Sequence, residues 1–202
     1  MRLSTAAATT GGAATRGRIV AATAELMARG GVAATSLDAV RAATATSKSQ
    51  LYHYFTDKAD LVRAVVRHHA DAVVDAQQLT EDPPSTPAAL ARWRYRTIAA
   101  QRARGFAAGC PLGSLAAELA ASADAETRAE LAAAFARWQG LLEAGLRSGV
   151  GAGELPAGLD CAGQAQALVT AVQGGSLLAA VSGGPAPLQA ALDRALEALL
   201  RS

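Results

Sequence analysis

The sequence predicts an all-α protein. Alanine and leucine dominate the chain, runs of β-branched residues are short, and apolar side chains recur at helical spacing almost everywhere. Of the 202 residues, 51% are hydrophobic, which is enough to build a packed core. We therefore expect a globular helical protein rather than a disordered chain.

The charges are distributed unevenly. The first 55 residues carry six basic side chains (Arg2, Arg16, Arg18, Arg29, Arg41 and Lys48) and two acidic ones (Glu25 and Asp38), a net charge of +4, whereas the whole chain carries +2. The remainder is therefore slightly acidic. A basic amino-terminal part next to an acidic body predicts a polyanion as the partner of the first part only.

Cysteine usage and hydropathy favour a cytoplasmic protein. Cys110 and Cys161 are too few and too far apart for a disulfide framework, and no metal-ligand spacing accompanies them. Charge, glycine or proline interrupts every apolar stretch before about 18 residues, so we expect no membrane span. Residues 1–14 lack the apolar core of a signal peptide, and we expect them to form a disordered tail.

A long first helix should precede a short second one. The first helix carries apolar residues at helical spacing, among them Ile19, Leu26 and Met27, and should end near Gly30 and its neighbouring glycine. Thr35, followed three residues later by Asp38, has the spacing of a capping box and predicts the start of the second helix.

Ser47 with Gln50 repeats this start signal, so a third short helix should begin only a few residues after the second. Thr56 and Asp57 then open a longer fourth helix, whose inward face should carry Val62, Val65, Val66, His69 and Val73. The segment EDPPSTP is a clear break. The remaining helices are expected over about 87–104, 112–122, 125–148, 160–182 and 186–201.

Two short helices joined by a tight turn, with small polar residues at the start of the second, are typical of a helix-turn-helix unit. Hydroxyl, ammonium and amide groups at this position suit phosphate and base-edge contacts in a DNA major groove. Leu51 and Phe55 should face the core. The predicted DNA-binding residues are Thr35, Ser36, Thr46, Ser47, Lys48, Ser49, Gln50, Tyr52, His53 and Lys58.

Two side chains of this segment have competing roles. Gln50 could close a capping box with Ser47 instead of contacting DNA, although we favour the DNA contact. Tyr54 could face the duplex or pack against the fourth helix.

The stretch from residue 15 to residue 65, and above all SKSQLYHYF followed shortly by a lysine, resembles the TetR family of transcriptional repressors. The resemblance implies a DNA-binding domain over residues 15–60 and a domain over residues 61–202 that dimerises and binds a small effector. The segments GCPLGSLAAELA, FARWQGLLEAGLRSG and QGGSLLA are similar to the branch of LmrA- and YxaF-type regulators, which respond to flavonoids or antibiotics.

The chain departs from the family pattern in the turn before the third helix. Ala45 and Thr46 stand where the family usually has glycine and valine. If the backbone there keeps a positive φ, alanine should cost about 1 kcal/mol relative to glycine.

The expected mechanism is a ligand-responsive repressor that binds a palindromic operator as a homodimer. Candidate effector-binding residues are Trp93, Gln101, Phe106, Phe135, Trp138 and Gln173, which combine apolar bulk with a few polar groups. The candidate dimer seam on the last two helices is Ala165, Leu168, Val169, Val172, Leu188, Leu192, Leu196 and Leu199. The alternative is a DNA-binding regulator whose carboxy-terminal domain only dimerises or binds a protein partner.

The sequence argues against an enzyme. The three histidines lie at positions 53, 68 and 69, and Ser114 lacks the Gly-x-Ser-x-Gly elbow that exposes a nucleophile. The glycine pairs lie at helix ends rather than after strands, so no phosphate-binding loop is indicated. We expect no catalytic residue, metal or cofactor.

Overall fold

The computed structural model describes the backbone of residues 5–107, 109–121 and 123–201, and side chains within these ranges from residue 11 onwards. This part of the chain is helical without any β-strand, which confirms the predicted fold class. The helices are α1 (Thr5–Ala34), α2 (Leu37–Thr44), α3 (Lys48–Tyr54), α4 (Lys58–Gln77), α5 (Pro87–Arg102), α6 (Pro111–Leu119), α7 (Ala125–Gly151), α8 (Cys161–Ser182) and α9 (Ala186–Arg201).

The first helix begins earlier than predicted. Residues 5–14 are helical, where a disordered tail was expected, and residues 1–4 lie outside the described part. The five alanines of this segment favour a helix, whereas its three threonines and two glycines do not, so propensity alone does not explain the difference. At the other end, Gly31 has φ 82° and ψ 164°, so regular helical geometry breaks at the predicted glycine pair and α1 resumes only after a kink.

The chain divides into two compact units. Unit 1 comprises residues 1–69 and 118–131, and unit 2 comprises residues 70–117 and 132–202. The expected boundary after residue 60 therefore lies too early, because most of α4 belongs to unit 1. The segment 118–131 belongs to unit 1 although it follows much of unit 2 in the sequence, which periodicity alone does not reveal.

The core of unit 1 is small and depends on a few large side chains. Ile19 of α1, Leu51 of α3 and Val65 of α4 are almost completely buried, and so is Phe55, which follows α3. The guanidinium of Arg16 lies 5.1 Å from the centre of the Phe55 ring and covers it. The prediction that Leu51 and Phe55 face inward is confirmed.

In unit 2, three helices meet at one buried amide. The side-chain oxygen of Gln77, at the end of α4, accepts hydrogen bonds from the indole nitrogens of Trp93 (2.8 Å) and Trp138 (3.1 Å). All three side chains are buried. A buried acceptor with two donors satisfies polar groups that would otherwise be costly to bury, so α4, α5 and α7 are held together here.

The connection between α4 and α5 is fixed by an ion-pair cluster. The carboxylate of Asp82 accepts hydrogen bonds from Arg92 and from Arg96, and the Nε of Arg96 donates to the carbonyl of Gln77 at 3.2 Å. The hydrogen bonds from Arg92, followed by those from Arg96, hold the pKa of the Asp82 carboxyl well below its usual range.

The last two helices pack against each other within the chain. The eight residues predicted to form a dimer seam are all buried in the single chain, at most 9% exposed. They cannot form a seam between two subunits, and that prediction is wrong. In a helix as rich in alanine as α8, every face is apolar, so the sequence pattern did not distinguish the inner from the outer face.

The outer face of α8 carries exposed apolar side chains: Leu177 is 65% exposed, Leu178 57% and Val181 80%. None of the 22 residues of α8 is charged. Within the described residues, α8 has the length and composition that a membrane-crossing helix would need, a property that a helix of a soluble protein can share. A large exposed apolar strip is typical of an interaction surface.

Candidate nucleic-acid interface and ligand cavity

The turn between α2 and α3 is short and its backbone is unusual. Ala45 has φ 50° and ψ 36°, the left-handed conformation, and its N–H donates to the carbonyl of Arg41. The next N–H, of Thr46, donates to the same carbonyl at 3.1 Å. The positive φ expected for a glycine is therefore kept by an alanine, which costs about 1 kcal/mol.

Threonine side chains hold this turn from within. The hydroxyl of Thr44 lies 2.8 Å from that of Thr46, and both side chains are buried. Arg18 of α1 donates a hydrogen bond of 2.6 Å to the carbonyl of Thr44. Thr46 was predicted to contact DNA, but only 5% of it is exposed and its hydroxyl is engaged by Thr44 inside the turn, so it is not a free surface contact.

The start of α2 also differs from the prediction. The N-cap is Ser36, whose hydroxyl accepts a hydrogen bond from the N–H of Ala39 at 3.1 Å. Thr35 is buried, and its hydroxyl donates to the carbonyl of Gly31 at 2.8 Å. Thr35 is therefore neither the cap nor a surface contact. Ser36 is exposed but already engaged by its own helix.

A carboxylate from the segment 118–131 secures the connection between α1 and α2. Glu118 accepts hydrogen bonds from the N–H groups of Val32 (2.6 Å) and Ala33 (3.1 Å). A Cβ at Gly31 would lie 3.0 Å from this carboxylate, in a backbone conformation with φ +82°. The positive φ favours glycine at Gly31, and the missing Cβ also leaves space for the carboxylate of Glu118.

The front of α3 presents polar side chains to solvent. Ser47 is the N-cap, its hydroxyl accepts from the N–H of Gln50 at 3.2 Å, and the Gln50 side-chain oxygen accepts from the N–H of Ser47 at 3.2 Å. The capping box that competed with a DNA contact for Gln50 is therefore formed. The amide nitrogen of Gln50 is not used in it. Ser49 shares a hydrogen bond of 3.1 Å with Ser47.

Lys48, Tyr52 and His53 lie exposed on the same short helix, and Tyr52 is 48% exposed. Lys48 forms no ion pair with a described residue. Lys58, at the start of α4, donates to the carbonyl of Ala33 at 3.3 Å, and its ammonium group keeps two further donors. These placements are compatible with DNA contacts, which stay predictions.

Tyr54 lies at the end of α3 and is half-buried. Its ring meets that of His53 edge-on at 5.0 Å, and its hydroxyl lies 3.8 Å from where a Cβ on Gly12 would be. The side chain therefore lies close to α1 rather than on the exposed face of α3.

Sequence reasoning missed Arg41 of α2. One end of its guanidinium donates to Asp38 at 2.7 Å, but its Nε is buried without a hydrogen-bond partner among the described residues. Arg41 lines an open groove of about 460 Å³ together with Ala45, Thr46 and Ser47. The unpaired buried donor is a signal that only the packed structure can supply.

Unit 2 contains a cavity of about 410 Å³ between α6, α8 and the segment that precedes α6. Small side chains form most of its described lining, and Gln173 supplies an amide. Of the six predicted effector-binding residues, Gln173 alone lines this cavity.

The other predicted effector residues are placed elsewhere. Trp93 and Trp138 are buried around Gln77, and Phe135 stacks on Trp138 with 6.4 Å between the ring centres. Gln101 is buried and donates to the hydroxyl of Ser176 at 3.0 Å. Phe106 is buried with φ 57°. Most residues that the sequence predicted for the effector site therefore pack in the interior. The sequence could not distinguish the two roles, because bulky rings and hydrogen-bonded amides occur both in cores and in cavities.

Comparisons with known proteins agree with this architecture. Residues 19–65 match the family described as bacterial regulatory proteins, tetR family, and residues 88–195 match the tetracyclin repressor-like C-terminal domain. A curated relative, an uncharacterised helix-turn-helix transcriptional regulator of Lactococcus lactis, is 30% identical over 112 residues. The match covers 53% of this chain and 56% of the relative's length, so the chain spans little more than half of that relative.

Solved structures extend the similarity over most of the chain. The regulatory protein TetR from Rhodobacter sphaeroides is 27% identical, with a TM-score of 0.75 over 89% of this chain and 96% of that one. The reduced form of E. coli NemR is 23% identical, with a TM-score of 0.74 over 90% and 94%. A TetR transcriptional regulator from Chloroflexus aurantiacus is 22% identical, with a TM-score of 0.75 over 93% and 95%. The last two similarities, below 25% identity, concern the fold.

Proposed function

This chain belongs to the TetR family of bacterial regulatory proteins, and from that premise we propose that it is a ligand-responsive repressor. Proteins of this family are DNA-binding transcription regulators rather than enzymes. The proposed protein binds a palindromic operator as a homodimer and is released from it by a small, apolar or aromatic effector. The narrower resemblance to LmrA- and YxaF-type regulators stays a prediction.

The observation that carries the proposal is the α2–turn–α3 unit with its exposed polar helix. Leu51 and Phe55 hold one side of α3 against the core, so the opposite side is free for a major groove. We assign phosphate contacts to Lys48 and Lys58 and base or backbone contacts to Tyr52, His53 and the amide nitrogen of Gln50. Ser36, Ser47 and Ser49 contribute at most through hydroxyl groups that also serve the helix starts.

Arg41 joins this set as a proposed phosphate contact. Its Nε lacks a partner beside the groove, which Asp38 also lines, and a phosphate oxygen is an acceptor that a guanidinium binds strongly. Because Asp38 holds the other end of the group, the guanidinium is already oriented before DNA arrives.

The proposed dimer uses the outer face of α8. Leu177, Leu178 and Val181 form an exposed apolar strip on a helix without charge, and Leu200 of α9, 43% exposed, is a further apolar side chain at the surface. Burying this strip against its symmetry mate would remove apolar area from water. To occupy successive major grooves, the two α3 helices must be about 34–36 Å apart.

Three helices contribute to both units and offer routes for coupling. α4 belongs to unit 1 through His69 and to unit 2 from Ala70, and α6 belongs to unit 2 through Ala117 and to unit 1 from Glu118. α7 belongs to unit 1 through Leu131 and to unit 2 after it. We propose that an effector bound in unit 2 displaces these helices and thereby changes operator affinity. By linkage, operator and effector then weaken each other's binding by the same free energy, typically about 1–3 kcal/mol.

Such a regulator works in the cytoplasm, where the chromosome is.

The first test is binding of the purified protein to duplex DNA from its own upstream region, at two salt concentrations. We expect saturable binding that weakens as salt rises, because phosphate contacts release counterions. Lys48→Ala should weaken binding and flatten the salt dependence, whereas Arg147→Ala on α7 removes the same charge and should leave both unchanged.

If neither the upstream duplex nor a pool of randomised palindromes binds, the repressor proposal is wrong. If DNA binds but no small molecule changes the affinity, the alternative of a carboxy-terminal domain that only dimerises or binds a protein partner replaces it.

A further inference from the structure

The cavity between α6 and α8 has a composition that restricts its ligand. The described residues that line it carry no charge, and the walls include Gly113, Ala117, Leu177 and Ala180. The lining offers a charged ligand no opposite charge in return for its lost hydration; the guanidinium of Arg104, which interacts with the lining residue Cys110, is not part of it. The volume of about 410 Å³ lies within the range of small-molecule sites. The cavity therefore favours a compact neutral molecule with a large apolar part.

One polar group in this wall lacks a partner. The side-chain nitrogen of Gln173 is buried and makes no hydrogen bond to any described residue. Buried amide donors are nearly always satisfied, so a lone one beside a cavity points to an acceptor that the ligand brings, which the nitrogen reaches when the amide turns toward the cavity. An amide N–H of this kind recognises a carbonyl oxygen.

Gly113 makes room for that amide. A Cβ at position 113 would collide with the side-chain oxygen of Gln173. Glycine is an unfavourable residue inside a helix such as α6, so its presence here is explained by the space that the amide needs. The geometry thus depends on two residues of two helices, one that carries the donor and one that leaves space for it.

We propose that this cavity is the effector site and that it selects a neutral, mainly apolar molecule with a carbonyl group, which accepts a hydrogen bond from Gln173. The inference rests on the proposed function for the biological meaning of binding. The recognition itself is a property of unit 2 and is measurable without DNA.

Three bicyclic probes of similar size separate the contribution of the hydrogen bond to affinity from the contributions of apolar contact and of charge. 2-Acetylnaphthalene carries the carbonyl, the hydrocarbon 2-isopropenylnaphthalene replaces the carbonyl oxygen by a methylene group, and 2-naphthoate replaces the acetyl group by a charged carboxylate. Dissociation constants are measured by calorimetry on the full chain. We expect the ketone to bind about 5- to 10-fold more tightly than the hydrocarbon, as one hydrogen bond allows, and the carboxylate to bind most weakly.

Variants then assign the preference to the amide. Gln173→Leu should abolish the preference for the ketone while keeping hydrocarbon binding. Gly113→Ala should abolish it as well, because the new methyl group displaces the amide, and alanine does not weaken the helix. Gln166→Leu is the matched control, since Gln166 is exposed on the same helix away from the cavity, and it should keep the preference.

Equal binding of ketone and hydrocarbon, a preference that survives in Gln173→Leu, or no binding of any probe would overturn the inference. Duplex binding by the same preparations is measured in parallel without probe. DNA binding with no ketone preference rejects this inference alone, whereas a ketone preference without DNA binding rejects the proposed repressor and leaves the cavity assignment standing.

Discussion

The sequence predicts the buried face much better in the helix-turn-helix of unit 1 than in helix α8 of unit 2. In α2 and α3, polar caps and two large apolar anchors determine which side faces inward, and the predicted core residues Leu51 and Phe55 are buried. In α8, by contrast, apolar residues occupy all sides, and its part of the predicted seam lies inside the chain, packed with the four seam leucines of the amphipathic α9. Periodicity therefore identifies a buried face only where the opposite face is polar.

The largest expected effect tests the inner side of α3. Phe55→Ala should lower the free energy of unfolding by about 3–5 kcal/mol, because it removes a fully buried ring from a small core. Tyr52→Ala, three residues earlier on the exposed side, should change stability by less than about 0.5 kcal/mol and weaken duplex binding instead. Urea unfolding and DNA titration of both variants are the measurements. Equal destabilisation by Tyr52→Ala would mean that the ring cluster serves packing alone.

The next effect concerns the buried amide of unit 2. Gln77→Leu leaves the indole N–H groups of Trp93 and Trp138 without an acceptor and should cost about 2–4 kcal/mol. Gln166→Leu makes the same change at an exposed position and should be nearly neutral. Denaturant unfolding followed by tryptophan fluorescence reports both stability and the indole environment. A neutral Gln77→Leu would show that the two indoles find other partners.

A smaller effect distinguishes the outer from the inner face of α8. Val181→Glu places a charge in the proposed strip and should weaken the dimer by about 2 kcal/mol, roughly 30-fold in its dissociation constant. Sedimentation equilibrium measures this, with Ala144→Glu on the exposed side of α7 as the control. An unchanged dimer in Val181→Glu would place the interface elsewhere.

The smallest effect concerns the turn. Ala45→Gly should raise the free energy of unfolding by about 1 kcal/mol, since glycine adopts φ 50° without strain. Ala43→Gly, inside α2, should lower it by a similar amount because glycine is a poor helix former. Thermal and urea unfolding measure both. A loss of stability in Ala45→Gly would mean that the entropy of the unfolded chain outweighs the strain at this position.

The candidate DNA surface was predictable in outline but not in detail. The helix starts and the Lys48–His53 segment follow from residue types and spacing, which are local properties. Thr35 and Thr46 look like surface residues in the sequence, yet each donates or shares a hydrogen bond inside the fold. Arg41 was missed for the converse reason, because a charged residue on a short helix shows no sign of a buried, unpaired nitrogen.

The sequence by itself determined the helical class, the order of the elements, the helix-turn-helix and the family, because these depend on periodicity, capping and motif, which are short-range. Only the tertiary structure decided which apolar faces are inside, that residues 118–131 complete unit 1, and that Gln173 rather than the tryptophans lines the cavity. The physical reason is that burial depends on how helices pack against one another. The faces of an alanine-rich helix are similarly apolar, so its sequence does not indicate which face will be covered.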